Sequence, residues 1–150
     1  MSRVALLDVN VLVALFHPDH VHHDLAHDWF ADHRRDGWAT CAVTENGFVR
    51  VSTQLAAGDA ATRPARILEQ LGTFCASGQH HFWSESVSIR DRKLFDSAFL
   101  SGHRQVTDMY LLGLARRMNG RLATFDRTIP LQAVRGATRA SMQVIEPADS

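Results

Sequence analysis

The chain has little of what marks a secreted, membrane-spanning or broadly nucleic-acid-coating protein. Only two of its 150 residues are cysteines, Cys41 inside an apolar run and Cys75 near the end of an expected helix. With no close-spaced pattern they do not read as a disulfide framework, and a reducing cytoplasm is the expected setting. No apolar stretch approaches the ~20 residues needed to span a bilayer. The opening MSRVALLDVNVLVALF mimics a signal peptide, but Asp8 and Asn10 interrupt its apolar stretch and no small-residue cleavage site follows. Charge of one sign is not in excess: sixteen basic and sixteen acidic residues cancel, so any contact with nucleic acid must be local. There is no Gly-rich phosphate loop of the P-loop or dinucleotide kind, no internal repeat and no low-complexity tract. At this length one domain over residues 1–150 is expected.

What is present is a recurring arrangement of acids. Val4-Ala5-Leu6-Leu7 ends at Asp8, the run 38–43 ends just before Glu45, and Arg121-Leu122-Ala123-Thr124-Phe125 ends at Asp126. Short apolar runs bounded by polar residues are the pattern of buried parallel strands. Asp108 stands at the first turn of a helix that Thr107 can N-cap, with Leu111, Leu114, Ala115 and Met118 at helical spacing. In a right-handed βαβ unit a helix starts at the carboxyl edge of the sheet, and the next strand returns to that edge. Asp108 and Asp126 therefore occupy the two ends of one such excursion. Asp8 and Glu45 sit at the same edge, where open α/β sheets bind ligands.

Such a cluster calls for a cation. Two carboxylates about 4 Å apart repel by roughly 1 kcal/mol in water and roughly 4 kcal/mol at the effective dielectric near a protein surface. Four of them either take up protons or bind metal. Oxygen-only donors select Mg²⁺ or Mn²⁺ over zinc or copper, and such ions activate water and stabilise the leaving oxygen of a phosphodiester.

The remaining elements alternate between strand and helix, which predicts an α/β class with a mainly parallel sheet. Short helices are expected over 11–16 and, with Leu25, Ala26, Trp29 and Phe30 inward, over 22–35, stopped by Gly37. A helix from Glu45 to about Leu55 is weakened in its first turn by Gly47. Residues 56–59 read as a turn. A further helix over 62–76 should bury Ile67, Leu68, Leu71 and Phe74. Residues 81–83 form a short strand, 88–105 suggest a helix and then a loop, and 143–145 a last edge strand.

Asp8-Val9-Asn10 after the first strand, Thr44-Glu45 and Thr107-Asp108 opening helices, and Thr124-Phe125-Asp126 after a later strand resemble the PIN-domain ribonucleases. The likeness is strongest to the VapC toxins of bacterial toxin–antitoxin systems, where stretches like VTDMYLLGLARRMNGRLATFD are typical. The resemblance covers nearly the whole chain. It implies a PIN-like three-layer α/β/α fold around a central sheet of four to five strands. It also implies an endoribonuclease dependent on Mg²⁺ or Mn²⁺, which acts on RNA as a homodimer and is held inactive by a cognate antitoxin. Asp8, Glu45, Asp108 and Asp126 fall on the family's acidic quartet, Asn10 on the small polar position beside the first acid, and Thr124 on the threonine that hydrogen-bonds near the acids.

Other readings stay open at this stage. A catalytically silent PIN-like module would act through antitoxin and operator DNA. Another Mg²⁺-dependent phosphoryl-transfer enzyme is the third possibility, although phosphatases of that kind usually need a second Asp where this chain has Asn10. Single acids at first helical turns also complement the helix dipole, and Asn10 can serve as a cap. His23 and His27, four residues apart on one helical face, have the spacing of a metal pair but no third ligand fixed by sequence; polar-face histidines on a solvated helix are the simpler account. Arg34, Arg35, Arg116 and Arg117 read as solvated charges, while Arg50, Arg90, Arg92 and Lys93 are candidates for phosphate contacts. Trp29 and Phe30 read as core, and Trp83 as either core or a stacking platform.

Overall fold

The computed structural model describes residues 3–55 and 63–147. Five short strands, β1 (Ala5–Leu7), β2 (Trp38–Cys41), β3 (His80–Trp83), β4 (Arg121–Thr124) and β5 (Met142–Val144), form one all-parallel sheet in the order β3-β2-β1-β4-β5. β1 lies at the centre, paired through Ala5 with both Trp38 and Arg121. Five α-helices accompany it: α1 (Val9–Phe16), α2 (His23–His33), α3 (Ala42–Leu55), α4 (Pro64–Cys75) and α5 (Val106–Arg117). None of the described helices is long and apolar enough to cross a membrane.

Two apolar layers follow from the period-two alternation of the strands. Ala5, Leu7 and Trp38 point into one core with residues of α1 to α4, including Val11, Leu12, Phe30, Phe48, Ile67 and Leu71. Leu6, Ala39, Cys41 and Trp83 point the other way, against Leu111, Leu112 and Leu114 of α5 and against Leu94, Phe95, Ala133 and Val134. A sheet covered on both faces buries its strands at every position, which is why β1 and β2 are apolar except at Thr40, whose hydroxyl is hydrogen-bonded. Trp83 is thus core.

Several local expectations need correction. The run 38–43 is strand only to Cys41, because α3 starts at Ala42 and takes in the rest of the apolar stretch. Gly47 is there for packing: a Cβ on it would come within 2.8 Å of Val9 Cγ2, so its absence lets α3 close on α1. α4 starts with Pro64 at its first position, and Leu68, expected inward, is exposed while Ile67 and Leu71 fill the core. The expected start of α4 at Thr62 and the turn at 56–59 lie outside the described residues.

Thr107 is not an N-cap. α5 continues directly from a 3₁₀ turn, His103–Gln105, so the helix has begun by Val106. The expected helix within 88–105 is also absent, since side chains there bond the local backbone instead. Asp91 accepts from Lys93 N–H at 2.9 Å and Asp96 from Ala98 N–H at 3.1 Å, which favours turns over a helix. Of its apolar residues Leu94 and Phe95 are buried, whereas Ile89 and Phe99 are exposed.

Phe95 is seated by Gly113 of α5, where a Cβ would come within 2.2 Å of the ring. Gly113→Ala should therefore overpack this core by about 1–3 kcal/mol despite the better helix propensity of alanine. Urea unfolding would show a lower midpoint; an unchanged or raised midpoint would mean that the ring moves aside freely.

Candidate functional site

Asp8 is the N-cap of α1. It sits one residue beyond β1, its N–H still bonded to Ala123 O at 3.0 Å, while its Oδ1 accepts from Val9 N–H at 2.7 Å. Its second oxygen, Oδ2, accepts from the Thr124 hydroxyl at 2.8 Å. Thr124, the last residue of β4 and fully buried, also accepts from Asp126 N–H at 3.0 Å. One hydroxyl thus ties the ends of two neighbouring strands together. Asp126 is pinned in turn by Thr128, whose N–H and Oγ1 donate to its Oδ1 at 2.7 and 2.6 Å. This Asx-type turn was legible as D-x-T, although Thr128 was not singled out.

Asp108, in the first turn of α5, completes a trio. Its carboxyl is pushed up to about 6, first by burial and then by the charges of Asp8 and Asp126. Asp8 is likewise raised, mainly by burial and also by Asp126, against the lowering effect of its hydrogen bonds from Thr124 and Val9. None of the three takes part in an ion pair among the described residues. They form a group of negative charges with no ion-pair partner among the described residues, and the donor set is oxygen alone, which fits a hard divalent cation.

Glu45 turns to other partners. Its Oε2 accepts from the Thr40 hydroxyl at 2.6 Å, and its charge acts on Cys75 and His80. Cys75 is pushed up to about 11, first by burial and then by Glu45. The ligand atoms of Glu45, Cys75 and His80 lie within 4.8 Å of one another, a grouping no other three such residues achieve among the described residues. Thr40, Cys75 and His80 escaped the sequence reading because the three belong to different elements. Asn10 lies exposed in the first turn of α1 and is not a cap, that place being taken by Asp8.

The histidines of α2 are neither a metal pair nor freely solvated. His23 Nδ1 bonds Ala14 O at 2.7 Å and His27 Nε2 bonds Leu15 O at 2.9 Å, satisfying carbonyls in the last turn of α1 that have no helical partner. Of the four arginines expected to be solvated, Arg35 is exposed as expected, but the other three have local tasks. Arg34 donates to Ser77 and Gly78, Arg116 to Gly136 O, and Arg117 pairs with Asp91. Arg50, Arg90, Arg92 and Lys93 are exposed and in no ion pair among the described residues.

The aspartate trio makes a stability prediction for the metal-free protein. Asp108 has a folded-state value of about 6 against a reference of 3.8. Between those values the folded state holds a proton that the unfolded chain releases, so stability falls as pH rises through this window. Thermal unfolding in chelator across pH 4.5 to 7.5 should show a steeper decline for the wild type than for Asp108→Asn, with the variant the more stable at neutral pH. Parallel curves would show that the charges of the trio are already compensated.

Comparison with known proteins agrees with the fold. The PIN domain model matches residues 5–135. Ribonuclease VapC44 of Mycobacterium tuberculosis is 45% identical over 141 residues, covering 94% of this chain and 99% of the relative. Ribonuclease VapC39 of the same organism is 42% identical over 132 residues, 88% of this chain and 95% of its own length. Ribonuclease VapC38, also from M. tuberculosis, is 46% identical over 123 residues, 82% and 85% respectively. With the family model spanning all but the last strand and the relatives matched along most of their lengths, the chain belongs to the PIN-domain family, within its VapC branch.

Proposed function

We propose that this chain is the toxin of a toxin–antitoxin pair and an endoribonuclease that cuts RNA phosphodiester bonds with the help of a divalent cation, Mg²⁺ or Mn²⁺. The observation that carries the reading is the grouping of Asp8 and Asp126, just beyond the carboxyl ends of β1 and β4, with Asp108 in the first turn of α5, none of them in an ion pair among the described residues, in a chain 45% identical to a protein named a ribonuclease.

Asp8, Asp108 and Asp126 would hold the cation directly or through water, with Glu45 joining them once its carboxylate leaves Thr40. When bound, the ion supplies charge neutralisation for the scissile phosphate and lowers the pKa of an attacking water. Thr124 has a positioning task. By donating to Asp8 and accepting from the Asp126 backbone, it fixes the distance between two acids that would otherwise repel. Beside Asp108, residues Val43, Ile89, Val106, Thr107 and Tyr110 line an open groove of about 320 Å³. Its apolar walls suit an unstacked base better than a duplex. Arg50, Arg90, Arg92 and Lys93, exposed and in no ion pair among the described residues, are cations able to meet phosphates, and single-stranded or loop RNA is the substrate class.

The VapC relationship supports an antitoxin as the inhibitory partner, and assembly as a homodimer is part of the same reading, as is one domain over residues 1–150. A cytoplasmic setting is supported by the two free cysteines. Incubating the purified chain with a transcript pool and mapping new ends tests the activity. Cleavage should stop with chelator and return with Mg²⁺ or Mn²⁺, and calorimetry should show Mn²⁺ uptake that depends on Asp108. Cleavage that persists in chelator, or an absence of carboxylate-dependent uptake, would overturn the metal-dependent reading.

A further inference from the structure

We propose that Glu45, Cys75 and His80 form a second metal site, selective for a zinc-class ion, and that filling it holds Glu45 away from the aspartate trio. The second half of this statement rests on the nuclease reading above; the first half does not.

The donor set is the first argument. One carboxylate oxygen, one sulfur and one imidazole nitrogen lie within 4.8 Å of one another. In a tetrahedral zinc site with bonds of about 2.0–2.3 Å, ligand atoms are roughly 3.3–3.8 Å apart, so modest side-chain rotation closes the set. Thiolate and imidazole suit zinc and are poor partners for Mg²⁺, which takes oxygen. The two sites therefore differ in chemistry: the aspartates offer oxygen alone, and this trio offers three different atoms. Three protein ligands leave the fourth position to water.

The second argument is how the donors are held. Glu45 comes from the first turn of α3, Cys75 is the last residue of α4, and His80 opens β3. Between the last two, Gly78 (φ 117°) and Gln79 (φ 62°) turn the chain sharply enough to bring a helix end and a strand start together. Thr40 orients two of the three donors. Its hydroxyl donates its single hydrogen to Glu45 Oε2 at 2.6 Å and lies 2.7 Å from His80 Nε2, which leaves it the acceptor of the Nε2 proton and His80 a lone pair on Nδ1. Metal ligands are commonly steered by such outer hydrogen bonds. The Trp38 ring, 4.6 Å from the His80 ring, walls the site with apolar surface. Ion binding displaces the Cys75 thiol proton to solvent, so uptake releases one proton.

Glu45 gives the site its consequence. A single carboxylate faces a choice between Thr40, Cys75 and His80 on one side and the aspartates on the other. An ion that ligates it on the first side leaves the acidic quartet one member short.

Cobalt(II), a spectroscopic stand-in for zinc, tests the site on the full-length protein without RNA. Binding should produce a near-ultraviolet sulfur-to-cobalt charge-transfer band, at one ion per chain, in the presence of excess Mg²⁺ and displaceable by Zn²⁺. The band should vanish in Cys75→Ser, persist in Cys41→Ser and Asp8→Asn, and require about 10–100-fold more cobalt in Thr40→Val. Absence of the band in the wild type, or its loss in Cys41→Ser instead, overturns the site. Persistence in Asp8→Asn separates it from the nuclease centre. In an RNA-cleavage assay in excess Mg²⁺, Zn²⁺ should slow the wild type at least tenfold and leave Cys75→Ser, which cleaves normally without zinc, unaffected. Equal inhibition of both proteins overturns the coupling through Glu45.

Discussion

Asp8→Asn should lower RNA cleavage by on the order of 10³-fold while leaving the protein folded. The size follows from removing one charged group from a preorganised electrostatic site, where single deletions cost about 10²–10³ in rate, and from the burial of Asp8 among the three aspartates. The preserved fold follows from what Asp8 does structurally. As N-cap of α1 it needs one acceptor oxygen for Val9 N–H, and asparagine supplies it equally well. The new amide loses the acceptor that Thr124 now uses, but it also removes a buried charge that repels Asp126. The two effects oppose, so the stability change should stay within about 1 kcal/mol. Matching circular dichroism spectra with cleavage and growth inhibition both lost is the expected result. A variant that cleaves within tenfold of the wild type would remove Asp8 from the chemistry.

Trp38→Ala should be the most damaging single change to stability, at about 3–5 kcal/mol. Trp38 is 1% exposed at the start of β2. Its ring meets Phe74 and His80 at 4.6 Å and Phe30 edge-on at 5.4 Å, so one side chain joins α2 and α4 to β2 and β3 of the sheet. Its Nε1–H donates to Gly78 O at 3.1 Å, and truncation leaves that carbonyl without this partner. The aromatic contacts share one ring and do not add independently. Domains of this kind have about 5–15 kcal/mol in total, so the variant loses a large share. A fall in melting temperature of about 10 °C or more is expected, and a loss below about 1 kcal/mol would mean that the neighbouring rings close the gap. Trp38→Phe should recover most of the loss.

The ends of β1 and, to within a residue, β4 were legible because their apolar runs stop at Asp8 and Asp126; the end of β2 was not, because its apolar run continues into α3. Burial on both faces leaves no alternative for Ala5-Leu6-Leu7. The parallel arrangement was legible for the same reason. The stretch 88–105 was not, because its apolar residues follow no period and its aspartates prefer their own backbone. The direction of the Glu45 side chain was hidden more deeply. Sequence spacing places that residue at one end of the sheet, but Thr40, Cys75 and His80, from three other places in the chain, decide which way it turns. The α2 histidines were misjudged for a related reason: their partners are carbonyls of α1, which only the packing of two helices brings within reach.

The strand order has a consequence for how the protein is made. β1 is synthesised first yet stands in the middle, and one of its two neighbours, β4, begins at Arg121, paired with Ala5 across most of the chain. Pairing over so long a loop is slow and comes late. On the ribosome, Asp8 is translated before Thr124 and Asp126, which shape its surroundings and emerge only after β2, β3 and helices α1 to α5. A chain that stops short of β4 lacks Thr124 and Asp126, so on the proposed nuclease reading it has no aspartate trio with which to hold a cation.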